Sequence, residues 1–146
     1  MNGKDSITIN CSKIKAWDAI TGFSQYFKWN SVINNIEGEL KEGNNVKLIC
    51  LSNSESKVTY DAFVEKLKEG KEIKLRVNNN FNKFTYYIRV NEIKDDEVEV
   101  VQGKEFYGIC NLIKKTYMDK EIKKLKIMNK ELKGYILSNT AKQSAK

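Results

Sequence analysis

Two periods divide the chain. From the stretch "NSVINNIEGEL" to about residue 108 apolar and polar positions alternate, as along half-buried strands, and beyond residue 112 the apolar spacing lengthens to that of a helix. In "FTYYIRV" the alternation sets Phe84, Tyr86, Ile88 and Val90 on one face and Thr85, Tyr87 and Arg89 on the other. "KVTYDAFV" groups Val58, Tyr60, Ala62 and Val64, and "EIKLRV" groups Ile73, Leu75 and Val77. In "VEVVQGKEFYG" the face of Val98, Val100 and Phe106 also takes in Gln102 and Lys104. Turn signals at "KEGNN", "SNSES", "KEGKE", "VNNNFNK" and "KDDE" separate these runs. They predict an antiparallel meander with one greasy and one solvated face.

A greasy sheet face has to be covered. The segment from about Leu112 to Leu137 has no proline and no glycine before Gly134, which predicts one helix ~40 Å long. At ~100° per residue Met118, Ile122, Leu125, Leu132 and Ile136 form a stripe about 80° wide, with Asn129 inside it. Lys115, Lys123, Lys124, Lys126, Lys130 and Lys133 take its flanks and back, the look of a solvated helix surface. At the other end, "SITIN" alternates like a strand, and Ser12 is placed to cap a helix in which Ile14, Ala16, Trp17 and Ile20 share a face. Gly22 breaks that helix, and a brief helical turn through "SQYFKW" leads into "NSVINNIEGEL".

Composition narrows the chemistry. The 146 residues, 40% of them hydrophobic, suit one compact domain over residues 1–146, with a flexible polar tail expected at 139–146. The start "MNGKDSITIN" has no apolar run of signal-peptide length, and no membrane-spanning run of ~18 apolar residues occurs, so a cytoplasmic location is expected. Cys11, Cys50 and Cys110 are widely spaced and odd in number, as for reduced core thiols. The net charge of +7 invites a polyanion, yet only Arg76 and Arg89 are arginines, the side chain best suited to phosphate and guanine, so nucleic acid is not the expected partner. The chain has no histidine, which removes the usual general base and the commonest metal ligand. No catalytic set, metal site or cofactor is expected.

Four stretches, in order, carry a resemblance. They are "SKIKAWDAITGFSQYFKWN", with Trp17, Thr21, Phe23, Tyr26, Trp29 and Asn30; "IEGELKEGNNVKL", with Gly38 and Gly43; "VVQGKEFYG", with Gln102, Phe106 and Gly108; and "MNKELK", with Met128, Asn129 and Leu132. Over residues 5–137 the sequence resembles the polyketide cyclase/dehydrase and lipid-transport family of the START/birch-allergen-like (SRPBCC) superfamily. It departs from the family pattern at Gly22, Phe27, Ser31, Leu75 and Lys104, the last a lysine where the family usually has a glutamate. The resemblance implies an α+β helix-grip fold, a curved antiparallel sheet wrapped around a long C-terminal helix, with an apolar cavity between them.

In such a cavity the resemblance places Trp29, Tyr60, Leu75, Tyr86, Gln102, Lys104, Leu125, Asn129 and Leu132 as ligand-binding residues for a small hydrophobic molecule or lipid. A buried amide without partners is costly, so Asn129 is expected to bond either to a ligand or to protein and water. Two other readings stay open. A cyclase- or dehydratase-like enzyme would use Lys104 or Tyr86 as proton donor and Asn129 to orient substrate. A basic polyanion- or protein-interaction module would use the lysine-rich back of the helix.

Overall fold

The computed structural model describes residues 2–51, 56–78, 83–107 and 114–144, with side chains in the last helix described from 115 to 139. In chain order the elements are β1 (Asn2–Ile9), α1 (Lys13–Thr21), a 3-10 helix (Phe23–Lys28), β2 (Ile33–Glu37), β3 (Asn45–Leu51), β4 (Lys57–Lys68), β5 (Glu72–Asn78), β6 (Lys83–Lys94), β7 (Glu97–Phe106) and α2 (Lys114–Ser144). Seven antiparallel strands form one curled sheet in the order β1-β7-β6-β5-β4-β3-β2. Strands β2 to β7 are a meander, and β1 closes the far edge by pairing Asp5 with Gln102 and Gly3 with Lys104. Register shifts in β2–β3, β4–β5 and β6–β7 supply local bends that help a sheet curl.

The short helices form for the reasons read from the sequence. Ser12 Oγ accepts the Lys15 backbone N–H at 3.2 Å, and the Gly22 N–H turns back to the Asp18 carbonyl at 2.9 Å, ending α1. Ala16, Trp17 and Ile20 are buried, and Trp17 Nε1 donates to Glu69 at 2.9 Å, tying α1 to the end of the β4 hairpin. Ile14, expected on the same face, is 74% exposed, since it lies about 160° from Ala16 and about 120° from Ile20 around the helix.

The concave face is the core. Val46, Leu48, Ala62, Val64, Ile73, Leu75, Val77, Phe84, Tyr86, Ile88, Val90, Val98, Val100 and Phe106 are all buried on it, whereas Tyr60, which the alternation groups with Ala62 and Val64, is half-buried and Val58 at the start of β4 is exposed. The convex face differs from its expected solvated character at β6, where Thr85 and Tyr87 are also buried. For Tyr87 the cause is Gly103, paired opposite it: a Cβ there would stand only 2.1 Å from Tyr87 Cζ, so the ring occupies the space that a side chain would fill. Arg89 covers that ring at 4.4 Å and donates to the buried Glu72, which Lys66 also pairs at 2.7 Å. Gly103→Ala is accordingly expected to evict the Tyr87 ring and cost about 1–3 kcal/mol, measurable by urea unfolding, whereas an unchanged midpoint would mean that the ring does not need this space.

α2 lies closest to β1 and β7. Gly3 permits the close approach, because Met118 Cε and Ile122 Cγ1 would meet a Cβ there at 2.4 and 2.9 Å. The buried stripe of α2 is Met118, Glu121, Leu125, Met128, Asn129, Leu132 and Ile136. Glu121 and Met128 replace the expected Ile122, which is half-buried at the flank. The helix also continues past Leu137 to Ser144, since nothing in that stretch breaks it. The turn at 79–82, most of "SNSES", and Gly108, Cys110 and Leu112 lie outside the described residues.

Candidate functional site

Asn129 has no accessible surface, and its amide is satisfied within the protein. Its Nδ2 donates to the Asp5 carbonyl at 3.0 Å and to Asp5 Oδ2 at 2.9 Å, and its Oδ1 accepts from Gln102 Nε2 at 2.8 Å. Gln102 Oε1 accepts in turn from the Tyr86 hydroxyl. Four residues from β1, β7, β6 and α2 thus form one polar chain through the core, which fixes the helix against the sheet edge. Burial drives the Tyr86 hydroxyl well above the ordinary phenol value, so it stays a donor at any physiological pH. Of the two partners open to Asn129 in the sequence, the structure supplies protein.

Leu75, Leu125 and Leu132 are enclosed with Asn129 in close-packed core. Trp29 is elsewhere: it stacks on Tyr135 at 5.8 Å and borders a surface cleft of about 480 Å³ beside Glu131 and Tyr135. Tyr135 is fourteen residues, ~21 Å, along the helix from Glu121, so Trp29 does not join Lys104. Its indole N–H is buried and has no hydrogen-bond partner among the described residues.

Tyr60, Tyr86 and Lys104 do come together, at the end of the groove facing the first half of α2. Leu48 and Tyr60 are cross-strand partners, as are Tyr86 and Lys104, and Phe84 and Phe106. Rings then run continuously from the sheet to the helix: Tyr60 to Phe84 at 5.9 Å, Phe84 to Phe106 at 5.5 Å, Phe106 to Tyr117 at 5.2 Å. Tyr60, Tyr117 and Cys50 are only half-buried, in contrast to the sealed interior around Asn129. This partly open aromatic mouth is the candidate site.

Lys104 carries the mouth's electrostatics. Its Nζ lies 5.0 Å from the Phe84 ring centre and 2.8 Å from Glu121 Oε2, and Lys124 adds a second cation at 3.3 Å. The lysine that departs from the family pattern is therefore matched by a carboxylate from α2. Burial pushes the Glu121 carboxyl upward, but Lys104 and Lys124 outweigh it and hold the group below the ordinary carboxylate range. Burial, then Glu121, pushes the Tyr117 hydroxyl up to about 12, and burial raises Tyr60 and the Cys50 thiol against the opposing pull of Lys104 and Lys124 on the thiol.

A carboxylate with a lowered folded value binds its proton less readily folded than unfolded. The stability from Glu121 is thus complete near neutrality and drains away as pH falls from about 4.5 through the lowered value. Melting temperatures from pH 7 to pH 3 should fall more shallowly for Glu121→Gln than for the parent protein, and parallel curves would remove this role.

Glu121, Asp5, Cys50, Phe84, Phe106 and Tyr117 are not among the residues that the sequence assigns to ligand binding. Glu121 was within reach: it stands four residues before Leu125, ~40° away on the helix, and an inward lysine calls for an anion. Asp5 had no comparable signal, because its role depends on β1 pairing with β7 across the whole chain length.

Among the described residues no helix is long and apolar enough to cross a membrane, and no group of three or more acidic or cysteine side chains is placed to hold a metal ion. No family model matches the sequence, and no curated protein matches it. Solved structures do. A START superfamily protein from Mycobacterium smegmatis superposes with a TM-score of 0.78 at 12% identity, covering 94% of this chain and 97% of that one. A protein of unknown function from Staphylococcus aureus gives 0.73 at 15% identity over 97% of both chains. A Thermus thermophilus protein gives 0.76 at 9% identity over 95% and 99%. With its curled seven-stranded sheet gripping one long C-terminal helix, the chain has the START/SRPBCC-like helix-grip fold.

Proposed function

We propose that the protein binds a small hydrophobic molecule at the aromatic mouth between β3, β4, β6, β7 and the first half of α2. The observation that carries this reading is the contrast within one groove: the half around Asn129 is sealed and its polar groups are satisfied, while the half around Tyr60 and Tyr117 leaves large rings partly uncovered. A helix-grip scaffold commonly serves as a ligand-binding frame, which favours the same end. Tyr60, Tyr86 and Lys104 keep a place in this reading, with Cys50, Phe84, Phe106 and Tyr117 added. Leu75, Leu125, Asn129 and Leu132 become the packed floor behind it. The two groups weighed as proton donors are committed to protein partners, Lys104 to Glu121 and Tyr86 to Gln102, which supports binding over catalysis.

Thermal-shift and native mass-spectrometry screens against fatty acids, sterols, quinones and aromatic polyketides test this. One class should bind saturably at one equivalent and raise the melting temperature. Tyr117→Ala, which removes the ring on the helix side of the mouth, should weaken that ligand about tenfold. Failure of every class to bind would defeat the proposal.

A further inference from the structure

The outer face of α2 carries a charge pattern that the interior does not use. Lys115, Lys120, Lys123, Lys126 and Lys130 are exposed along it and Lys133 is half-buried at its side. Of the three acidic residues between 114 and 139, Glu121 is buried against Lys104 and Glu131 is occupied by the backbone N–H and hydroxyl of Ser31, at 3.1 and 2.9 Å. Asp119 and Glu131, which keeps its charge against the neutral donors of Ser31, offset only part of the six lysines. Among the described residues, Lys124 is the α2 lysine found in an ion pair, and it is not one of these six. From Lys115 to Lys133 the cations extend over ~27 Å of the helix, across a face about 140° wide.

Two apolar side chains share this outer surface, Ile127 among the lysines and Leu137 beyond them. Ile127 is 47% exposed and Leu137 is 38% exposed. At ~100° per residue Ile127 falls between Lys120 and Lys123 in projection, about 20° from one and 40° from the other. An isoleucine held among lysines gains nothing from water or from a phosphate backbone, but can enter the acyl boundary of a bilayer while the lysines rest on its headgroups.

From this charge complementarity we infer that the outer face of α2 docks the protein on an anionic lipid surface. The occupant is a membrane leaflet carrying acidic lipid, touched by Lys120, Lys123, Lys126 and Lys130 with Ile127 inserted between them. Nucleic acid would use the same cations, yet both arginines are on strands, Arg76 in β5 and Arg89 in β6, so this face offers no bidentate phosphate contact. It also leaves Ile127 without a role. The inference is independent of whether the aromatic mouth holds a ligand, since none of these side chains lines that mouth.

Co-sedimentation with vesicles of phosphatidylcholine alone, and with about a third phosphatidylglycerol, tests it on the full chain. Binding is expected to the acidic vesicles only, and to weaken steeply between about 50 and 200 mM salt. Lys123→Glu with Lys130→Glu should weaken it at least about tenfold, and Ile127→Ser should weaken it several-fold while leaving the salt dependence unchanged. Lys120→Gln with Lys126→Gln is the milder pair should the charge reversals unfold the helix, with circular dichroism as the check. No binding to acidic vesicles at low salt would overturn the inference. So would binding unaffected by both lysine pairs, or binding to a DNA duplex that exceeds vesicle binding and ignores Ile127→Ser.

Discussion

Asn129→Ala should lower the unfolding free energy by about 3 kcal/mol, among the largest losses available from one side chain in this protein. The substitution opens a void at a position with no accessible surface and strips partners from three groups at once: the Gln102 amide, the Asp5 carbonyl and the Asp5 carboxylate. Asn129→Leu separates these effects, since it nearly preserves volume and removes only the hydrogen bonds. Combined with Gln102→Leu it should cost about 1–2 kcal/mol less than the sum of the single changes, because neither residue then leaves the other unpaired. Strict additivity in urea unfolding would mean that the polar chain is not a unit.

Glu121→Leu ranks next, at about 3 kcal/mol. It leaves Lys104, whose side chain is 13% exposed, without its nearest anion and facing the Phe84 ring. Lys104→Met together with Glu121→Leu should recover most of that loss, since an apolar pair of similar volume meets no desolvation penalty. The double variant also sharpens the functional reading. If the mouth recognises ligand by its rings, affinity for a neutral hydrophobic probe should survive the exchange. If the double variant remains as unstable as Glu121→Leu alone, the lysine and glutamate act through packing rather than charge.

These two sites show what was legible in the sequence and what was not. The strands were readable because alternation is a local signal, and β6 and β7 reveal their inner faces residue by residue, Gln102 and Lys104 included. The helix was readable because Leu125, Leu132 and Ile136 keep their spacing over several turns. That Asn129 is buried could be read as well, but its partners could not: Gln102 is 27 residues away and Asp5 is 124 away, and only the closure of β1 on β7 brings them together. The same long-range closure hid the division of the groove into a sealed half and a partly open half. The convex packing of Tyr87 was missed for a different reason, because Gly103 reads as a break in a strand until its cross-strand neighbour is known.

The measurement that bears most directly on the binding proposal is a backbone and side-chain chemical-shift titration with dodecanoic acid and, separately, a naphthoquinone. At least one of them should produce saturable changes centred on Cys50, Tyr60, Phe84, Lys104 and Tyr117, with Leu132 and the Asn129 amide nearly unmoved. Saturable changes centred instead on the Trp29–Tyr135 cleft or on the convex face, or no saturable change with either probe, would contradict it.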